Sequence, residues 1–213
     1  MSSIKGVPIV VSGPSGVGKN TVVSQVMKVC PELIHSTSMT TRSPRPGEKE
    51  GQNYFFVSEK HFQKAIQNQE LAEWATVYEN YYGTLRSFLD EQFNKGLDVI
   101  LDVDIQGAAS IKTLYQDAIL IHLIPPSLEA LRERLFSRKK GKGDDLNHRI
   151  DRVEQEMRYL DIFNYFVINN ILEDASNDVH SIIRADRLRR DRISPMLISK
   201  GIIPGHTKTQ GNK

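Results

Sequence analysis

Five apolar residues, Val7-Pro8-Ile9-Val10-Val11, run directly into a glycine-rich segment, Gly13-Pro14-Ser15-Gly16-Val17-Gly18-Lys19. An apolar run rich in β-branched residues suits a strand buried on both faces, as in a parallel sheet. Val22, Val23, Val26, Met27 and Cys30 then recur at helical spacing. Strand, glycine turn and helix in that order predict an α/β protein whose parallel sheet is covered on both faces.

The alternation recurs downstream. Leu97 to Val103 reads as a strand and Ile105 to Tyr115 as a helix. Ala118 to Ile124 reads as another strand, stopped by Pro125-Pro126, with Ser127 as the N-cap of a helix and Glu129 in its first turn. Tyr165 to Ile168 is a short strand before a final helix, Ala175 to Ile193, which Pro195 helps to end.

Two stretches interrupt this order. Residues 37–90 are more polar and carry Tyr54, Phe55, Phe56, Trp74, Tyr78, Tyr81 and Tyr82, the pattern of a small mixed insertion. Residues 138–145, Arg-Lys-Lys-Gly-Lys-Gly-Asp-Asp, read as a mobile loop between helices. The polar tail from Gly201 is expected to be disordered.

The glycine-rich segment fits G-x-x-x-x-G-K. Its backbone N–H groups can converge on phosphate oxygens, and the start of the helix adds partial positive charge. Lys19 would meet the β- and γ-phosphates. A Ser or Thr that would ligate Mg²⁺ is expected next, but Asn20 stands there, followed by Thr21. Mg²⁺ keeps several waters, so one protein ligand can be spared. Asp102, at the end of a hydrophobic strand, is a candidate acid for Mg²⁺ or its water shell, or simply a solvated carboxylate.

Ser36 to Glu48 is dense in hydroxyls and holds Arg42 and Arg45 in a proline-stiffened loop. Two guanidiniums so placed suit a second anion. A solvated basic loop is the competing reading.

The chain resembles guanylate kinase from about Val7 to Leu188. The resemblance rests on six segments in order: residues 12–19, Ser-Gly-Pro-Ser-Gly-Val-Gly-Lys; 40–48, Thr-Thr-Arg-Ser-Pro-Arg-Pro-Gly-Glu; 80–84, Asn-Tyr-Tyr-Gly-Thr; 101–107, Leu-Asp-Val-Asp-Ile-Gln-Gly; 125–127, Pro-Pro-Ser; and 168–170, Ile-Asn-Asn. It implies a P-loop three-layer α/β fold with a central parallel sheet, a small mixed α+β GMP-binding insertion and a short lid. The divisions would be core 1–36, insertion 37–90, core 91–128, lid 129–147, core 148–200 and tail 201–213.

Position by position, the resemblance implies that Arg42, Arg45, Tyr54 and Tyr82 bind the GMP phosphate. Ser38, Glu73 and Thr84 would read guanine, with Asp104 close by. Lys19, Arg134, Arg138 and Arg149 would act on the transferred phosphoryl group. Gly13, Pro14, Ser15, Gly16, Val17, Gly18, Lys19, Asn20 and Thr21 would hold ATP, with Asn169 near the adenine. Asp102 would serve Mg²⁺, through water. The implied reaction is ATP + GMP (or dGMP) → ADP + GDP. The GMP phosphate oxygen is already ionised near pH 7, so no general base is needed. None of the six histidines falls in these segments.

A different monophosphate kinase, a non-catalytic guanylate-kinase-like module that binds peptides, and a regulatory GTPase are the alternatives. Glu73 with the Ser38 and Thr84 hydroxyls argues against the first and Lys19 against the second; a missing Asn-Lys-x-Asp segment argues against the third.

The formal net charge is only +2, which excludes a strongly basic nucleic-acid wrapper. It is uneven: residues 184–213 hold 8 basic and 2 acidic residues, and the rest 20 basic and 24 acidic. That basic stretch holds none of the expected ligands and reads as a solvated helix face. The single cysteine, Cys30, gives no disulfide, and no apolar run is long enough to span a membrane. Both fit a cytoplasmic protein that binds neither nucleic acid nor membrane.

Overall fold

The structure, a computed structural model, describes residues 4–77, 79–138 and 157–204, without the side chains of residues 128, 135–138 and 157–159. Arg149, the loop after Arg138 and the tail from 205 lie outside the described residues.

The central sheet has five strands: β1 (Pro8–Ser12), β2 (Ile34–His35), β7 (Val99–Asp102), β8 (Ile119–Ile124) and β9 (Tyr165–Ile168). All are parallel, in the order β2-β7-β1-β8-β9. The order places β1 in the middle, with the chain continuing to one side through β2 and β7 and to the other through β8 and β9. Such a switch point opens a crevice beyond the carboxyl ends of the strands, where ligands of α/β sheets bind.

Alternation along β1 separates two cores. Val7, Ile9 and Val11 point to one face, with Val22, Val23 and Val26 of α1 (Lys19–Val29) and Ala175, Val179 and Ile183 of a long helix near the C-terminus. Val10 points to the other, with Leu101, Leu120, Leu89 and Phe93 of α3 (Arg86–Asn94), and Ala108 and Ile111 of α4 (Ile105–Leu114). Both faces are covered along β1, β7 and β8, which are buried along almost their whole length and mainly apolar, as the sequence predicts, whereas the edge strand β9 exposes Phe166 and Ile168.

A second sheet has the order β4-β3-β6-β5, built from β3 (Met39–Thr40), β4 (Phe55–Phe56), β5 (Leu71–Val77) and β6 (Asn80–Leu85). It has its own small core of Met39 with Phe62 and Ala65 from α2 (Glu59–Gln67), onto which Phe55 and Tyr81 pack. Ser58 caps α2 by accepting from the His61 N–H at 3.2 Å. The Ser127 cap is also present: its hydroxyl accepts from the Ala130 N–H at 3.1 Å, at the start of α5 (Leu128–Arg138).

The C-terminal helix departs from expectation. It is two helices, α6 (Leu172–Arg187) and α7 (Arg190–Ser199), and Pro195 lies inside the second instead of ending the first. The break falls at Leu188 and Arg189, where Arg189 adopts an extended backbone. Buried Asp186 holds the break by pairing with Arg189 at 3.2 Å and with Arg192.

The basic stretch is a solvated face only in part: Arg184, Arg189, Arg190 and Lys200 are exposed, but Arg187 is half-buried and Arg192 buried. Asp98, with no exposed surface, accepts from Val7 N–H at 2.9 Å and Arg192 Nη2 at 2.7 Å through one oxygen, and from Arg187 Nε at 2.6 Å through the other. Arg192 also donates to the Lys5 carbonyl at 3.2 Å. A charge is tolerated inside only when paired and hydrogen-bonded. The patterning that suggested solvation cannot reveal a partner some ninety residues away.

Candidate active site

The loop after β1 is built by its glycines. Gly13, Gly16 and Gly18 have φ of +147°, +85° and +102°, a region other residues rarely adopt. Space is also short. A Cβ on Gly13 would stand 2.6 Å from the Leu123 carbonyl oxygen, and one on Gly18 would stand 2.7 Å from Asn169 Nδ2. Val17 is fully buried in the first core and anchors the loop. Gly18 caps α1 with no side-chain hydrogen bond, and the first turn holds no acid. The end of the helix therefore suits an anion.

Lys19 Nζ donates to the Gly13 carbonyl at 2.7 Å, so the lysine already lies back across the loop. Asn20 and Thr21 are exposed at the start of α1, and Ser15 is exposed within the loop. Asp102 stands opposite Val11 in the β1–β7 register. Burial pushes its carboxyl up, and Lys19, followed by His35, opposes that shift. One half-buried carboxylate near the lysine, with amide and hydroxyl oxygens at the start of α1, is a hard-oxygen set. It matches Mg²⁺, which takes phosphate oxygens and water for its remaining positions. No cluster of three or more metal-ligating side chains occurs among the described residues.

Val17's carbonyl receives two side chains. Asn169 Nδ2 donates to it at 2.7 Å and Arg134 Nη1 at 3.3 Å, while Arg134 Nη2 donates to the Asn169 carbonyl at 3.0 Å. Buried Asn169 thus braces the glycine-rich loop at Val17, a contact its position in the sequence did not suggest. Arg134 ties α5 to the same point. The Arg138 side chain and Arg149 lie outside the described residues.

In the second sheet, Glu73 of β5 and Thr84 of β6 face each other in the antiparallel register. Thr84 Oγ1 donates to Glu73 Oε1 at 2.6 Å, and Glu73 is only 6% exposed. Burial, with the nearby Asp104 charge adding to it, pushes the Glu73 carboxyl up to about 7, against the pull of the Thr84 bond. Asp104 caps α4, accepting from the Gly107 N–H at 2.9 Å. A Cβ on Gly107 would stand 3.1 Å from Glu73 Oε2 and 3.0 Å from Val103 Cβ. Gly107 makes room for the acid; its only signal in the sequence is its place closing the 101–107 segment. Ser38 is half-buried beside β3, its carbonyl accepting from the Phe55 N–H at 2.9 Å.

The arginine loop is ordered by its own contacts. Arg42 Cζ lies 5.4 Å from the Tyr54 ring centroid and 5.9 Å from that of Phe56. Tyr82 meets Tyr54 edge-on at 5.9 Å. Burial pushes the Tyr54 hydroxyl up, so it stays a hydrogen-bond donor. Arg42 Nη2 donates to both oxygens of Glu48, at 2.9 and 3.0 Å. Arg45 has an exposed side chain.

A sequence model of the guanylate kinase family matches residues 5–186. The chain belongs to the guanylate kinase family. It is 42% identical over 189 residues to a guanylate kinase of Thermotoga maritima, covering 89% of this chain and 91% of that one. To one of Clostridium tetani it is 42% identical over 201 residues, covering 93% and 96%. The fold is similar to the crystal structure of guanylate kinase from Anaplasma phagocytophilum, with a TM-score of 0.73 and 28% identity, covering 94% of this chain and 98% of that one. In this chain the glycine-rich loop follows β1 of the central parallel sheet, and the second sheet carries Glu73 and Thr84. No helix among the described residues is long and apolar enough to cross a membrane.

Proposed function

We propose that the chain transfers the γ-phosphoryl group of ATP to GMP or dGMP, giving ADP and GDP, as a cytoplasmic enzyme that acts on neither nucleic acid nor membrane. The observation that carries this reading is the buried Glu73–Thr84 pair, set in one chain with a lysine-bearing phosphate loop. Guanine presents N1–H and N2–H₂ as adjacent donors, which one carboxylate accepts together. Its O6 is an acceptor that a hydroxyl from Ser38 or Thr84 satisfies. Adenine would set its unprotonated N1 against the carboxylate, and an unpaired buried polar group costs about 1–3 kcal/mol.

Residues 37–90 form the GMP-binding unit in this reading, and 129–147 the lid. Arg42, Arg45, Tyr54 and Tyr82 take the GMP phosphate, with Asp104 flanking the base. The loop from Gly13 to Thr21 takes the ATP phosphates, and Asn169 lies toward the adenine. An oxygen of the GMP phosphate attacks the γ-phosphorus in line; its bond to the β-bridging oxygen breaks and ADP leaves. Lys19 with Arg134, Arg138 and Arg149 offset the charge that spreads over the transferred group. Asp102 would hold Mg²⁺, through water, with Asn20 or Thr21 nearby; the ion supplies positive charge to the phosphates. No base is required, and buried His122, its imidazole pushed down to about 4 by burial and by Lys19, is neutral at pH 7.

One assay tests the reading: ADP release from ATP with GMP, dGMP, AMP, UMP and dTMP in turn. Turnover restricted to GMP and dGMP is expected. No turnover would favour a guanylate-kinase-like binding module, and preference for another monophosphate would overturn the base reading.

A further inference from the structure

Among the described residues, Glu48 is the one carboxylate bound to both the Arg42 guanidinium and the Arg45 backbone, and the proposed function gives it no role. Its two oxygens accept from Arg42 Nη2 at 2.9 and 3.0 Å. The same Oε2 accepts from the backbone N–H of Arg45 at 2.7 Å. Arg42 Nη1 is held in turn by the Ser43 carbonyl at 2.7 Å, and its plane lies near the Tyr54 and Phe56 rings. The Glu48 N–H closes the turn on the Arg45 carbonyl at 3.0 Å, directly after Gly47 at φ +87°. The Arg42 contact and the Arg45 N–H hold the Glu48 carboxyl below the usual carboxylate range, so it is charged at neutral pH.

We infer that Glu48 is a positioning residue: it fixes Arg42 and the Arg45 backbone before substrate arrives, so that the GMP phosphate meets a formed cradle. The inference rests on the proposed GMP site. An unheld arginine loses rotamer freedom when it is fixed, and ordering of that kind is subtracted from binding energy. A carboxylate near the phosphate also repels it. The two effects have opposite signs. Glu48 binds Arg42 through Nη2 alone, leaving donors of the guanidinium for a second anion. It also secures the turn that carries Arg45. Positioning therefore outweighs repulsion.

The test compares Glu48→Ala, Glu48→Gln and Arg42→Ala with the wild-type chain, by steady-state kinetics and by calorimetric binding of GMP and of guanosine. Expected for Glu48→Ala is a rise in the GMP KM of about tenfold or more. Its kcat at saturating GMP and its ATP KM should stay within about twofold, and guanosine affinity should not move. Glu48→Gln, which keeps an acceptor for the Arg45 N–H but loses the charge, should fall between. An unchanged or tightened GMP KM in Glu48→Ala overturns the inference, because the carboxylate is then idle or a competitor. Equal weakening of GMP, guanosine and ATP also overturns it, because the loss is then general damage to the fold. Arg42→Ala separates the two readings: if it too leaves GMP binding intact, the phosphate site itself is misplaced.

Discussion

Thr84 Oγ1 donates to Glu73 Oε1 across 2.6 Å, between paired strands, beneath a glycine that leaves the acid just enough room. The acid is buried with no cation paired to it among the described residues, and burial raises its pKa to about 7. In the unfolded chain it would titrate near the ordinary glutamate value.

The native state therefore holds one more proton than the unfolded state between the two pKa values. Stability contributed at this site is greatest at or below the unfolded pKa and falls as pH rises through 7, by about 3 kcal/mol at most. Glu73→Gln should raise the melting temperature more at pH 8 than at pH 5. The same substitution should weaken GMP far more than ATP, because an amide cannot accept both guanine donors. In the wild-type chain, GMP affinity should fall as pH drops below about 7. Thermal melts and GMP titrations at several pH values check all three; a pH-independent stability difference would remove the buried charge from the account.

Gly107→Ala introduces a methyl 3.1 Å from Glu73 Oε2 and 3.0 Å from Val103 Cβ. The acid must shift by a few tenths of an ångström, and base reading depends on its position. The expected outcome is a GMP KM raised by about tenfold with little change in the ATP KM, since misplacement of a contact group by small distances is costly. Steady-state kinetics with each substrate varied decides it.

Lys19 lies across the phosphate loop against Gly13. Lys19→Met should lower kcat by at least about a hundredfold while the melt stays cooperative, as expected for a group that offsets transition-state charge. The same loss is expected for Arg138→Met. Near-normal turnover in either would end that role.

Asp98→Asn would leave Arg187 and Arg192 facing a neutral group, with Arg192 buried. Removing one member of a buried ion pair costs about 3–5 kcal/mol. Denaturant unfolding should show a loss of that size. Activity per folded molecule should persist, since none of these side chains belongs to the proposed nucleotide site.

The core was legible because its signals are local. The apolar β1 run, the glycines of residues 13–18 and the Ser127 cap are each carried by a short segment, whereas Glu73 and Thr84 come from the resemblance, and their pairing across β5 and β6 is what the structure adds. What escaped depends on distance in sequence. The pairing of Asp98 with Arg187 and Arg192 joins charges that look solvated when read one at a time. Pro195 suggests a helix end, yet a helix can start five residues before a proline and lose only one backbone bond. Asn169 on Val17 and Glu48 on Arg42 are contacts of side chains whose residue types alone do not name their partners.

The Asp98 staple also bears on where this fold can be cut. The family match ends at residue 186, inside α6. Arg187 is the very next residue, and Arg192 follows five later, in α7. A fragment trimmed to the shared family boundary would keep the buried carboxylate of Asp98 and discard both of its cations. The edge of the family match and the edge of the folded unit thus fall at different places in this chain. Proteolysis or truncation between Asp186 and Arg192 should melt the sheet at the foot of β7, the strand whose far end carries Asp102.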